Sequence, residues 1–206
     1  MPEEKESETQ KLILDAAMKV FTQRGFDGAR TEEIAKEAGI NRALLHYYYR
    51  DKQTIFNMIF EERFKEFFVG IFQIFSSDQP ILEKIRLLID HEISMLLKHP
   101  DLARFIITEV ANRPERLIEY GQKLGVNPRT FVESFEKQLT AEIKIGTIKP
   151  IQPRQLLMNI MSLCIYPFVA QPIFRTMMQL DKATFNNMME ARKKEVYTFI
   201  MNALKP

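Results

Sequence analysis

From Gln10 onward the apolar residues Leu12, Ile13, Ala16, Ala17, Val20 and Phe21 return every three or four positions until Gly25 interrupts them. That spacing lines one face of an α-helix, and the glycine stops it. Gly28 loosens the turn that follows. A shorter pattern begins at Thr31, which is expected to cap a second helix, with Glu32 and Glu33 at its positive amino end and Ile34, Ala35 and Ala38 on its inward side. Gly39 permits a sharp change of direction. Asn41 is expected to cap a third helix through Arg42, Ala43, Leu44, Leu45, His46, Tyr47, Tyr48 and Tyr49. Leu45 and Tyr49 stand four positions apart, so they share a face and are assigned to packing against Ile34 and Phe21.

Beyond Lys52 the period stays helical but the segments lengthen. TIFNMIFEERFKEFFVGIFQIF has Ile55, Ile59, Phe68 and Phe72 available for burial, while Glu61, Glu62, Arg63 and Lys65 mark a polar side. Pro80 opens a helix carrying Leu82, Ile85, Leu88, Ile89, Ile93, Leu96 and Leu97, and His99–Pro100 closes it. Further helices are expected over Leu102–Val110, Pro128–Ile145, Pro153–Val169 and Lys182–Leu204, with a bend or short connection produced by Pro167 and Pro172. The fold class is all-α: an amino-terminal three-helix helix-turn-helix head over residues 1–52, attached to a larger helical body over residues 53–206. The long helix after Lys52 joins the two, and a packed helix transmits displacement better than a flexible tether.

Composition narrows the function. A chain of 206 residues with 46% hydrophobic content buries a sizeable core. The formal charge is only +2, and residues 1–52 hold nine Lys/Arg against ten Asp/Glu. General basicity therefore makes no case for nucleic acid; only the placement of particular side chains can. The single cysteine, Cys164, excludes an intramolecular disulfide or a cysteine metal cage and reads as a reduced core thiol. MPEEKESETQ is acidic and polar, reads as a short flexible arm, and lacks the basic and apolar regions of a secretory signal, so a cytoplasmic location is expected. Residues 155–174 are the least charged stretch. Asn159, Pro167, Gln171 and Pro172 break the roughly 20-residue apolar run that a membrane span needs, so a buried helix is expected and no membrane partner.

Two short helices meeting at Ala38, Gly39 and Ile40 can place the second of them in a DNA major groove. On that helix Arg42, Ala43, His46 and Tyr47 face away from Leu45 and Tyr49; an arginine reads guanine and an alanine approaches a thymine methyl, while Leu44 adds apolar shape. At this point the chain resembles the TetR family of bacterial transcriptional regulators. The resemblance is carried by Phe21 and Gly25 at the end of helix one, by Thr31, Ile34, Ala35, Ala38 and Gly39 through helix two and the turn, and by Leu45, Tyr48, Tyr49 and Lys52 in the YYYRDK segment. The family commonly has tyrosine at the position of His46 and phenylalanine at that of Tyr49, and its Tyr-His order is reversed at His46–Tyr47. The resemblance implies a dimeric, all-helical protein whose head binds operator DNA and whose body senses a ligand. It also implies phosphate contacts from Lys52 and Thr31, and it leaves Arg42, His46, Tyr47 and Tyr48 as contact candidates.

In the body, Leu156, Leu157, Ile160, Met161 and Cys164 form one apolar surface, and Met188, Met189, Val196, Phe199 and Ile200 a second. Two such helix pairs can form a four-helix homodimer interface, holding the paired heads on half-sites roughly 34–36 Å apart. Sixteen phenylalanines and eleven methionines suit a chamber for a hydrophobic or aromatic small-molecule effector. Phe64, Phe67, Phe68, Ile89, Phe105, Ile106 and Phe168 are the candidates to line it. No catalytic residue, metal site or cofactor is expected. His46, His91 and His99 belong to no HExxH segment or triad, and adjacent His91 and Glu92 diverge on a helix. The expected function is a sequence-specific dimeric regulator, a repressor released from its operator by the effector. The alternative is a helical protein-interaction module without specific DNA binding, with an enzyme a more distant one.

Overall fold

The computed structural model describes every residue except Met1 and Asp101, and every side chain except theirs and those of residues 2–6, Ile106 and Glu109. Among the described residues all regular structure is helical. The helices are α1 (Pro2–Gly28), α2 (Thr31–Glu37), α3 (Arg42–Tyr48), α4 (Lys52–Ser76), α5 (Ile81–Lys98), α6 (Leu102–Asn112), α7 (Glu115–Lys123), α8 (Pro128–Lys144), α9 (Pro153–Val169), α10 (Gln171–Met177) and α11 (Lys182–Leu204). No single described helix is long and apolar enough to cross a membrane.

The chain divides into two compact units: residues 1–65 with 104–116, and residues 66–103 with 117–206. The expected boundary at residue 52 therefore falls inside the first unit. The reason is aromatic packing. Phe56 meets Phe21 edge-on at 5.2 Å and stacks on Phe60 at 5.9 Å, and Phe105 of α6 lies 5.5 Å from Phe56. The start of α4 and most of α6 thus pack with α1 through one aromatic cluster. Arg116 is buried with its guanidinium 4.9 Å above the Phe56 ring, a cation–π contact that lets a charge close this aromatic stack.

Three local expectations change. Residues 2–10 are helical and belong to α1 rather than to a flexible arm. Gly25, at φ 68°, breaks α1 as expected, but the chain resumes a short helical turn to Gly28. Pro167 sits inside α9 and does not end it; the change of direction falls at Ala170, where α10 leaves α9 at 69°. Proline lacks the N–H that would bond the carbonyl of Leu163, and Arg192 of α11 donates to that carbonyl through Nε at 3.0 Å. The orphaned acceptor is thereby satisfied from outside the helix.

In the second unit α5 packs against α9 and α11, and α8 against α9 and α5. Ile85, Leu88, Ile89, Ile93 and Leu96 of α5, spaced at three and four, are all buried there. Two charged residues enter this core. Lys84 donates from Nζ to the Phe75 carbonyl near the end of α4 at 3.1 Å and to Gln138 Oε1 at 3.0 Å, so it caps one helix and ties it to another. Glu92 is fully enclosed, and burial raises its carboxyl to about 7 against the pull of a hydrogen bond from the Cys164 thiol.

Candidate nucleic-acid interface

α3 is short, and its two faces are sharply different. Leu45 and Tyr49 are buried with Phe21 and Ile34, as the spacing predicts, while Arg42, Ala43, His46 and Tyr47 are exposed. Asn41 caps the helix through Oδ1, which accepts from the Leu44 amide at 2.8 Å. That bond fixes where the first turn starts, and hence which side Arg42 and Ala43 present. Leu44 and Tyr48 are half-buried, and Tyr48 meets Tyr47 edge-on at 5.3 Å. The Tyr49 hydroxyl is buried with no hydrogen-bond partner among the described residues, and burial raises its pKa. It adds a polar atom where a phenylalanine ring would fit without one.

The polar side chains of the exposed face are already arranged. Arg42 pairs with Glu32 of α2 at 2.8 Å and donates through Nε to His46 Nε2 at 3.4 Å, while His46 Nδ1 lies 3.3 Å from the Arg50 carbonyl. Glu32 is held below the usual carboxylate range, first by its own backbone amide and then by Arg42. An ion pair this exposed is weak, so exchanging Glu32 for a base edge costs Arg42 little.

Two assignments move. Thr31 does not cap α2: Arg30 holds the cap position, and Glu33 Oε2 accepts from the Arg30 amide at 3.2 Å, the reciprocal half of a capping box. Thr31 instead occupies the first helical turn, half-buried, its hydroxyl 3.4 Å from Glu32 Oε2. Lys52 points inward. Its ammonium lies 2.6 Å from the Phe26 carbonyl, 2.9 Å from that of Ala29 and 3.5 Å from that of Asp27, and 4.5 Å from the centre of the Phe26 ring. The end of α1 at Gly28 leaves these carbonyls without helical partners, and an ammonium has three donors with which to meet them. Lys52 therefore clasps the end of α1 instead of reaching for phosphate. The sequence reading placed Glu33 at the amino end of α2 but missed its bond to the Arg30 amide and the Lys52 clasp, because both depend on which backbone groups the join of α1 and α2 leaves unpaired.

A family model described as bacterial regulatory proteins, tetR family, matches residues 13–59, spanning these three helices and the start of α4. A second, described as tetracyclin repressor-like, C-terminal domain, matches residues 82–200, more than half of the chain. The chain belongs to the TetR family. It is a DNA-binding transcriptional regulator with a helix-turn-helix head and a helical body, and proteins of this family bind operator DNA as dimers. The fatty acid metabolism regulator protein of Bacillus subtilis (strain 168) is 28% identical over 137 residues, covering 66% of this chain and 69% of the relative. The HTH-type transcriptional regulator RutR of Escherichia coli (strain K12) is 25% identical over 154 residues, 75% of this chain and 71% of RutR. In fold, the structure of the ketosteroid transcriptional regulator KstR2 of Mycobacterium tuberculosis matches with a TM-score of 0.71 at 14% identity, covering 96% of this chain and 95% of that one.

The residues expected to line an effector chamber divide between the two units. Phe64 and Phe105 belong to the first unit, where Phe64 stacks on Phe60 at 5.9 Å and Phe105 lies 6.0 Å from it. Phe67, Phe68, Ile89 and Phe168 belong to the second, and all but half-buried Phe68 are core. The Ile106 side chain lies outside the described residues. Within the second unit a cavity of about 340 Å³ opens elsewhere, between α9, α10 and α11, and none of the expected chamber residues lines it.

The apolar surfaces of α9 and α11 also divide differently. Leu156, Leu157, Ile160, Cys164, Met189, Val196 and Ile200 are buried within the protomer, so they cannot form a side-chain interface with another chain. Met161, Met188 and Phe199 remain on the outside, joined by Met158 and Tyr166. Both helices are apolar on more than one side, and hydropathy alone did not separate inward from outward.

Proposed function

We propose that this TetR-family regulator is a homodimeric repressor whose paired α3 helices read operator half-sites through Arg42, Ala43, His46 and Tyr47, with Leu44 and Tyr48 shaping the contact. The observation that carries this is the division of α3 into a buried face and an exposed row of base-reading side chains. Thr31, at the amino end of α2, meets the phosphate backbone. Lys52 acts indirectly, by holding the end of α1.

The dimer forms through the outward side chains Met158, Met161 and Tyr166 of α9 and Met188 and Phe199 of α11. Exposed large apolar residues clustered on one helix pair are what an isologous four-helix contact requires. A hydrophobic or aromatic effector bound in the body lowers operator affinity. Selection of bound duplexes from fragmented genomic DNA by the full-length protein tests the core of this reading. The expected product is an inverted repeat whose half-site centres are about one helical turn apart. Recovery of no sequence above nonspecific background overturns it and favours a protein-interaction module.

A further inference from the structure

The cavity between α9, α10 and α11 has a mainly apolar lining whose polar groups are Ser162, the Tyr166 hydroxyl and one charge, Arg192. Leu163, Tyr166, Phe174, Phe185 and Met189 form its walls, and Arg192 enters from α11. About 340 Å³ is at the small end of the range for ligand sites. A guanidinium in such surroundings calls for an anion, because a cation beside apolar walls loses hydration that only a partner of opposite charge restores.

No carboxylate among the described residues pairs with Arg192. Arg154 is matched by Glu136 at 2.5 Å, Arg86 by Glu83 at 2.6 Å and Lys193, beside Arg192, by Glu190 at 2.5 Å. Among the described residues Arg192 has no such ion pair, and its one hydrogen bond is the donation from Nε to the Leu163 carbonyl. That bond has a structural origin in Pro167, which leaves the carbonyl free. It pins the guanidinium plane and leaves the two terminal nitrogens for an external acceptor, with the geometry that receives a carboxylate through two parallel bonds.

We infer that this cleft binds a small apolar monoanion, its carboxylate or equivalent oxyanion on the terminal nitrogens of Arg192 and its hydrocarbon or aromatic body against Tyr166, Phe174 and Met189. The inference rests on the proposal that the body senses a ligand and gives that ligand a site and a charge. Tyr166 and Met188, which both line the cleft, also belong to the proposed dimer face, so the cleft shares part of the pairing surface and its occupant is placed to alter pairing.

The test is calorimetric titration of full-length protein, without DNA, using phenylbutyrate and its uncharged counterpart phenylbutanol. Expected is saturable binding of one phenylbutyrate per protomer, at least about ten-fold tighter than phenylbutanol. Arg192→Gln, which retains a donor for the Leu163 carbonyl, should erase the difference between the two compounds. Ser162→Trp, an exposed position on the cleft wall, should abolish the binding of both. Equal affinity of acid and alcohol for the wild type overturns the inference without recourse to any variant. So does the absence of binding, as when a partner copy fills the cleft, or binding that Ser162→Trp leaves intact. Because no DNA is present, failure here is separate from failure of the operator reading.

Discussion

Tyr47 leaves 74% of its surface in solvent while Leu45, two positions earlier, is fully enclosed. A side chain so exposed contributes little to folding, so its removal separates recognition from stability. Tyr47→Ala is expected to weaken operator binding by about 1–3 kcal/mol, roughly 5- to 150-fold, with an unchanged thermal unfolding midpoint. Fluorescence anisotropy on the selected duplex, paired with a circular dichroism melt, checks both halves. Lys52 should behave in the opposite way. Its ammonium satisfies backbone carbonyls at the end of α1, so Lys52→Met is expected to cost about 1–3 kcal/mol in urea unfolding. The salt dependence of operator binding by the folded variant should stay as in the wild type; a slope reduced by about one would restore Lys52 to the phosphate backbone.

At the scale of the element, the close approach of α4 and α5 depends on Gly70. A Cβ there would stand 2.1 Å from Cε1 of His91, whose Nε2 lies 2.9 Å from the Phe67 carbonyl. Both the ring position and its hydrogen bond require the missing side chain. Gly70→Ala should therefore destabilise the protein by about 1–3 kcal/mol, and most of that cost should vanish in a His91→Ala background, where the ring that it meets is gone. Additive costs in the double variant would mean that the strain lies elsewhere. Helix existence was largely legible in the sequence: the periods after Pro153 and Lys182 mark α9 and α11, with Asp181 capping α11 by accepting from the Thr184 amide at 2.7 Å. α7 was not, because its nine residues are mostly polar and lie between Pro114 and Gly125, where turn signals dominate. The inward and outward sides of α9 were also unreadable. Leu157 and Met158 are equally acceptable on either side, and only the positions of α5 and α8 decide that the leucine is covered and the methionine is not. In the candidate interface the exposed row of α3 was legible from spacing, whereas the inward turn of Lys52 depends on carbonyls freed 23 to 26 residues earlier.

For the molecule as a whole, Glu92 makes stability depend on pH. Burial lifts its carboxyl to about 7, above the ordinary value of 4.5 that it regains on unfolding. The folded protein thus holds a proton that the unfolded chain releases between these values, so stability is greatest below pH 4.5 for this group and falls as pH rises towards 7. The loss amounts to at most about 3 kcal/mol. Glu92→Gln should flatten that part of the profile in urea unfolding, and parallel curves for the two proteins would remove Glu92 as the cause. Assembly sets the other global property. Phe199 leaves 64% of its surface exposed on α11, with Met158 at 51% and Tyr166 at 58% on α9, a density of large apolar groups that water disfavours and a second copy can cover. A glutamate at the centre of such a contact meets its own symmetry mate, so like charges would be buried together on both sides of the twofold axis. Phe199→Glu is expected to sediment as a monomer at micromolar concentration where the wild type sediments as a dimer. With only one head per particle, its operator affinity should drop by well over the ten-fold expected of a single lost side chain, because the second half-site must then be found independently. A variant that remains dimeric and binds its operator normally would place the pairing surface away from α11.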